Sequence, residues 1–283
     1  MRDPKDMREP DLGEIGQCLA RSGYFMESRI ITELTGAGFF VEASPSFRDP
    51  RTGKSRELDL IAEYFDFDSW DLHRGVSVKT NFVVEAVNNR FPFVLVTPNP
   101  YSPNANAEDY VKAVFSPSEG TPFLSAISDF LFTERSPADA TLFCQFAELT
   151  RKNASSDLMA SHGDGTYQSL LKLSEFVEDK VRLYEEAFSG DTDIWRVHFW
   201  RPMLVLGGAL VTSSQRPGEE PELQYADFAQ LLFNWHDDQR PRSTIIDIVT
   251  EAHLLNHVQP ICRRDTEVAI ELFELKPKEE LAG

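Results

Sequence analysis

The sequence has few cysteines and no long apolar run, and both shortages limit what the chain can be. Its three cysteines, Cys18, Cys144 and Cys262, are an odd number at wide spacing, which argues against a disulfide framework and against a zinc motif. The longest apolar run, residues 203–211, is far too short to cross a membrane. The charged amino terminus lacks the apolar segment of a secretory signal. We therefore expect a cytoplasmic protein without a membrane partner.

Basic residues are also scarce. The chain has 28 Lys and Arg against 46 Asp and Glu, a formal net charge of −18. This balance opposes long-range attraction to nucleic acid or to an anionic membrane, because phosphate binding depends on clustered Lys and Arg. We interpret most of the surplus acid as solvated surface charge. A local basic groove stays open as an alternative, because five cations lie between residues 48 and 90, near acids that are candidates for a site: Arg48, Arg51, Lys54, Arg56 and Arg90.

The apolar patterns predict strands near both ends of the chain and helices between them. Strand patterns cover residues 39–41, 56–63, 77–87, 93–96, 195–200, 203–206, 209–212 and 244–249. Helix patterns cover residues 11–20, 24–36, 110–115, 123–132, 138–151, 166–188, 251–258 and 266–273. Asp11 and Glu14 predict a capping box at the start of the first helix. Gly207-Gly208 lies between two apolar runs and predicts a tight hairpin turn.

This order of segments predicts an α/β (α+β) fold with a central mixed β-sheet flanked by helices. At 283 residues the chain can bury a large core. We expect one domain, residues 1–283, with a core at residues 20–97 and about 194–273 and a helical insertion at about 102–190. A division into two domains stays open.

Three acids occupy positions where apolar residues are usual. Glu85 interrupts the apolar run of residues 82–87, Asp59 lies in the strand pattern Leu58-Asp59-Leu60-Ile61, and Glu27 lies on the apolar face of a predicted helix. Carboxylates are among the residues least often buried unless they are paired or bound to a metal. The three acids fall on three elements between residues 24 and 87, so the pattern favours a metal-binding carboxylate cluster.

Such a cluster suits the hydrolysis of phosphodiester bonds. That reaction uses a metal ion to neutralise developing charge and to lower the pKa of the attacking water. Mg²⁺ usually takes one or two carboxylates from the protein, and water and phosphate complete its octahedron. Asp59 and Glu85 could provide these ligands if they project from the same face of neighbouring strands.

The ordered motifs resemble the restriction-endonuclease-like PD-(D/E)XK superfamily. The resemblance covers roughly residues 20–97 and is carried by the helix with Glu27, then residues 38–41, residues 49–60 (DPRTGKSRELDL) and residues 84–87 (VEAV). It implies a restriction-endonuclease-like core, and the strand at residues 244–249 is a candidate to join the same sheet. It also implies Asp59 and Glu85 as metal ligands for Mg²⁺ or Mn²⁺, and Glu27 as an auxiliary catalytic acid.

The chain departs from the family's third motif. That motif places a lysine two residues after its acid, and here the position is Val87. The family lysine stabilises the attacking hydroxide or the phosphorane electrostatically, often a large contribution to such a reaction. Three cations are candidates to reach in from a neighbouring strand or loop in its place: Arg56, Arg90 and Lys54.

Each acid also has a purely structural explanation. Glu27 could pair with Arg29 or Arg56, Asp59 could hydrogen-bond to a turn, and Glu85 could form an ion pair with Arg56. On this alternative the protein has another α/β fold whose acids form ordinary ion pairs.

Two functions follow from the cluster. The first is a metal-dependent nuclease-like protein that acts on DNA phosphodiester bonds, with activity reduced by the missing lysine. The second is a catalytically inactive nuclease-fold module used for binding or assembly, which Val87 and the acidic surface favour. Whether the chain is an enzyme, and whether it binds DNA, a protein partner or a second copy of itself, stays open at this point.

Overall fold

Four helices and fifteen strands are present in the described part of the chain. The structure is a computed structural model that describes residues 9–49, 51–65, 76–98, 112–116, 142–151, 153, 156–188, 195–215, 218–236 and 240–275. The helices are α1 (Leu12–Ser22), α2 (Tyr24–Gly36), α3 (Asp164–Phe188) and α4 (Leu254–Leu275), with a 3₁₀ turn at Glu251–His253. The strands are β1 (Phe40–Ala43), β2 (Ser46–Arg48), β3 (Ser55–Glu57), β4 (Leu60–Phe65), β5 (Val76–Val87), β6 (Phe93–Leu95), β7 (Lys112–Ser116), β8 (Leu142–Phe143), β9 (Phe146–Thr150), β10 (Met159–Ser161), β11 (Trp195–Leu206), β12 (Leu210–Ser214), β13 (Glu222–Ala226), β14 (Phe228–His236) and β15 (Pro241–Thr250).

The main sheet has eight strands in the order β1-β4-β5-β11-β15-β14-β8, and β7 pairs with β11 beside this path. Strands β5 and β11 pair in parallel along their whole length, from Val76 opposite Trp195 to Val87 opposite Leu206. Strand β4 pairs antiparallel with β5, and β15 pairs parallel with the last residues of β11. The sheet is therefore mixed, and helices flank it. The predicted α/β (α+β) class with a central mixed sheet is confirmed.

Both faces of the main sheet are covered, because successive strand residues point to opposite sides. Val84 of β5 packs with α2 and α4, whereas the adjacent Val83 packs with α3. The first core includes Met26, Ile30, Leu34, Leu254, Val258 and Ile261. The second core includes Leu170, Leu173, Phe176 and Val177 of α3. Strand β5 therefore lies in the middle of the molecule, between two apolar layers.

A row of buried polar side chains fixes α4 to the first face of the sheet. Asp265 of α4 accepts two hydrogen bonds from Arg201, the shorter at 2.5 Å, and another from Thr80 at 2.5 Å. Asp247 of β15 lies 2.9 Å from Nε2 of His257 on α4. In this row each acid meets a basic side chain, as buried charges require.

A second sheet of five strands, in the order β10-β9-β6-β12-β13, begins where β5 and β11 end. Strands β6 and β12 follow β5 and β11 in the chain and pair in parallel like them. The prediction of a hairpin turn at Gly207-Gly208 is therefore wrong, because β11 and β12 lie in different sheets. The Asn89 side chain holds the crossing: its Oδ1 accepts from the Gly208 N–H at 2.8 Å, and its Nδ2 donates to the Phe91 carbonyl at 2.9 Å.

Most other local predictions agree with the structure, and two more do not. The capping box of Asp11 and Glu14 is present, and the helix predicted at residues 166–188 is α3. The helices predicted at residues 110–115 and 138–151 are wrong: their described residues form β7, β8 and β9. Apolar spacing in such short segments fits a helix and a strand equally well. The helix predicted at residues 123–132 lies outside the described residues.

The length and apolar content of the described helices bear on the prediction that the protein has no membrane partner. In the described ranges, no helix is both long enough and apolar enough to cross a bilayer.

The crossing between the sheets gives a test of the fold. A Cβ atom at position 208 would collide with the backbone carbonyl oxygen of Asn89. We expect Gly208→Ala to lower the free energy of unfolding by about 1–3 kcal/mol, as overpacking does. Gly36→Ala is the control, because a Cβ there would meet no atom within 4 Å. Urea denaturation should show the loss for Gly208→Ala alone; equal stability of the two variants would contradict the described crossing.

Candidate active site

Asp59 and Glu85 are neighbours on adjacent strands. Asp59 directly precedes β4, and the antiparallel register places Leu60 opposite Val84. The Asp59 N–H donates to Oε1 of Glu85 at 3.3 Å, and the Ala86 N–H donates to Oδ2 of Asp59 at 2.7 Å. Each acid is thus held by the backbone of the other's strand. The structure brings together the two acids that the sequence pattern paired.

Lys172 of α3 reaches this pair from the opposite layer. Glu85 follows Val83 by two residues, so it points to the face that α3 covers. The ammonium group of Lys172 lies 2.6 Å from Oε1 of Glu85 and donates to the Glu57 carbonyl at 2.8 Å. Ser169, one turn earlier on α3, also donates a hydrogen bond to Glu85. A cation and a hydroxyl from one helix therefore meet the acid of the central strand.

Sequence reasoning missed Lys172. The three candidate cations all lie at residues 54–90, whereas Lys172 is 85 residues beyond Val87. One signal was present: Ser169, Lys172 and Glu175 recur every third residue within a leucine-rich helix. A polar stripe along an apolar helix face indicates buried polar partners.

Val87 has a role in packing. It is partly buried against the core on the α3 side of the sheet. Position 87, where the resemblance would place a lysine, is therefore occupied by a core side chain, and the lysine that contacts Glu85 lies on another element.

Glu27 lies in the first turn of α2 and is half-buried. Burial raises its pKa, and the charges of Asp59 and Glu57 raise it further. Its expected structural partner, Arg29, instead pairs with Glu251 at 2.6 Å. Glu27 is thus within electrostatic range of the acid pair.

The three expected replacement cations have other surroundings. Arg56 pairs with Asp49 at 2.6 Å and with Glu175 at 3.3 Å, rather than with Glu85 or Glu27. Arg90 lies over the ring of Phe91, 5.7 Å from its centroid. Lys54 is exposed on the connection between β2 and β3. The lysine next to the acids is Lys172.

The electrostatics of the site are unbalanced. Glu85 is only 3% exposed, and burial, with a further contribution from the Asp59 charge, raises its pKa from 4.5 to about 7 despite hydrogen bonds from Lys172 and Ser169. Burial also raises the pKa of Asp59, although the Ala86 N–H and Lys172 oppose the shift. One lysine therefore does not compensate fully for a buried carboxylate and a half-buried one.

This imbalance fits a divalent cation. In the described part of the chain, no group of three or more His, Cys, Asp and Glu is arranged to hold a metal. Mg²⁺ needs fewer protein ligands, because water and phosphate complete its coordination. Asp59 and Glu85 offer hard oxygen donors that repel each other, and a bound cation would relieve that repulsion. The two residues fit a site for Mg²⁺ or Mn²⁺.

Comparisons with protein-family models, with curated proteins and with solved structures gave no significant match. The function is therefore inferred from the geometry around Asp59, Glu85 and Lys172.

The raised pKa of Glu85 predicts a pH dependence of stability. Because the folded chain holds this proton up to about pH 7 and the unfolded chain only to about 4.5, the folded state binds more protons in that window. The free energy of unfolding should therefore fall as pH rises from 4.5 to 7, by at most about 3 kcal/mol from this group. Glu85→Gln should remove most of that fall.

Urea denaturation at pH 4.5, 6 and 8 measures this effect. Glu33→Gln, a change at an exposed acid on α2, is the matched control and should keep the pH dependence of the unmodified protein. The same slope in Glu85→Gln as in the unmodified protein would contradict the assignment.

Proposed function

We propose that this chain is a metal-dependent nuclease-like protein of the PD-(D/E)XK type that acts on DNA phosphodiester bonds. One observation carries the proposal: Lys172 lies 2.6 Å from Glu85, beside a pair of carboxylates on adjacent strands. Two acids and a cation are the groups that such hydrolysis requires. The cation missing at Val87 is supplied from α3.

Each residue has a definite task in this proposal. Asp59 and Glu85 would hold Mg²⁺ or Mn²⁺, which supplies a Lewis acid that neutralises phosphate charge and makes water a better nucleophile. Lys172, 2.6 Å from Glu85, would stabilise negative charge that develops beside the two acids. Glu27, with its pKa raised by burial and by Asp59, can accept a proton from the attacking water.

The position of Lys172 suits an electrostatic role. Its side chain is 20% exposed, so its charge is poorly screened by water and acts strongly on groups nearby. It is also fixed by the Glu57 carbonyl as well as by Glu85. A cation held in place before the substrate arrives needs little reorganisation when charge develops.

The alternative is an inactive nuclease-fold module used for binding or assembly. The ion pair between Lys172 and Glu85 favours it, because a lysine that only replaces the metal as partner of Glu85 would make the site purely structural. The net charge of −18 also opposes general attraction to nucleic acid.

Cleavage assays with DNA and Mg²⁺ or Mn²⁺ distinguish the two functions. We expect Asp59→Ala and Glu85→Ala to abolish cleavage. Lys172→Met should lower the rate by about 10²–10³-fold, as loss of one preorganised electrostatic group does, while Mn²⁺ binding measured by calorimetry persists. Lys180→Met is the control, because Lys180 lies on the same helix over the Phe176 ring and should leave the rate unchanged.

The outcomes separate clearly. Cleavage that persists in both Asp59→Ala and Glu85→Ala would exclude this site as the catalytic centre. A folded unmodified protein that binds no metal and cleaves no DNA would favour the inactive module.

A further inference from the structure

We propose that Asp49, Arg51, Arg56 and Glu175 form an ionic clamp that locks the β2–β3 hairpin to α3 and thereby positions Lys172 against Glu85. The clamp residues are positioning residues, and they do not touch the proposed reacting atoms. The contacts of the clamp stand independently of the nuclease activity. Its effect on catalysis rests on the proposed function.

The clamp is a closed network of short contacts. Nε of Arg51 lies 2.5 Å from Oε1 of Glu175, and Nη1 of Arg56 lies 3.3 Å from Oε2 of the same residue. Nε of Arg56 lies 2.6 Å from Oδ2 of Asp49. The Arg51 and Thr52 N–H groups donate to Oδ1 of Asp49 at 2.8 and 3.0 Å. Glu175 is the point where the hairpin meets α3.

The burial of its two carboxylates makes this network selective for one position of the hairpin. Asp49 is 0% and Glu175 1% exposed, whereas the side chains of Arg51 and Arg56 reach the surface in part. A buried carboxylate that loses its partner costs far more than a surface ion pair contributes. The hairpin therefore has one strongly favoured position on α3, the one in which both acids are paired.

The clamp acts on both halves of the proposed site. Glu175 follows Lys172 by three residues on α3, about one helical turn. On the other side, β3 ends at Glu57 and leads within two residues to Asp59. Lys172 itself donates to the Glu57 carbonyl. Fixing Glu175 to the hairpin therefore fixes the distance between the helix that carries Lys172 and the segment that carries Asp59.

A second ion pair on α3 offers a matched comparison. Glu178, one turn beyond Glu175, pairs with Lys112 of β7 at 2.6 Å and lies 3.7 Å from Arg242 of β15. It fixes the same helix to a different part of the sheet, away from the hairpin. Loss of the Glu178 contacts should therefore weaken the hold on Lys112 and leave Lys172 in place.

Amine labelling followed by mass spectrometry tests the clamp in the whole protein without metal or substrate. The probe is acetic anhydride under native conditions. In Glu175→Gln, we expect the labelling rate of Lys172 to rise about tenfold with Lys112 unchanged, because local release exposes the amine without global unfolding. In Glu178→Gln, the pattern should be reversed. Arg51→Gln removes one clamp contact from the exposed side and should raise Lys172 labelling less, so it serves if Glu175→Gln does not fold.

Two results would overturn the clamp. One is unchanged Lys172 labelling in folded Glu175→Gln, or in Arg51→Gln where Glu175→Gln does not fold. The other is an equal rise at Lys172, Lys112 and Lys79, because that indicates general loosening and no specific positioning. Lys79 is a suitable reference, since it pairs with Glu63 on β4 at 2.9 Å, outside both contacts.

Steady-state kinetics provide a second measurement, because a residue with a purely structural role would not change kcat selectively. In active protein, Glu175→Gln should lower kcat about tenfold or more with KM little changed, because misplacing a catalytic group affects mainly the transition state. Glu178→Gln should keep both constants. If the unmodified protein cleaves no DNA, the proposed function fails while the labelling pattern still decides the clamp.

Discussion

The ion pair between Lys172 and Glu85 connects the centre of the main sheet with the helix that covers it. Glu85 lies on the central pair of parallel strands and is almost fully buried, where an uncompensated carboxylate would be very unfavourable. Its partner comes from α3, and α3 in turn carries much of the core on that face. The position of α3 therefore determines both the packing on this face of the sheet and the pairing of Glu85 with Lys172.

In the proposed nuclease site, the cation has to lie near the acids, and any element that reaches them could provide it. On β5, the residue two beyond Glu85 faces the same side, and in this chain that side is apolar, so Val87 packs against the core. Lys172 instead reaches Glu85 from α3, the helix that covers this face of the sheet. Its reach depends on α3 lying close to the end of β5, which the ionic clamp and the leucine-rich face of α3 both favour.

The sequence predicted what local patterns determine. Asp11 and Glu14 specify a helix start, the leucines of α3 specify a buried helix face, and strand alternation placed Asp59 and Glu85 together. Long-range partners were beyond such patterns. Lys172 and Glu175 meet residues more than 85 positions away, and only tertiary packing selects Glu175 as the partner of Arg56. Strands β7 and β9 were missed because their short apolar segments suit either period.

The networks of buried charges in the described part of the chain differ in how many cations accompany their carboxylates. In the clamp, two carboxylates meet two guanidinium groups. Under α4, Asp265 meets Arg201 and Asp247 meets His257. Around Asp59 and Glu85, a single lysine serves two carboxylates. Burial raises the pKa of both, but it also raises the pKa of Glu175 in the clamp, so the number of cations per carboxylate is what distinguishes the two networks. Balanced networks stabilise a fold, whereas an under-compensated one lowers stability and tends to occur at functional sites. The excess negative charge beside Lys172 is what a bound divalent cation would neutralise.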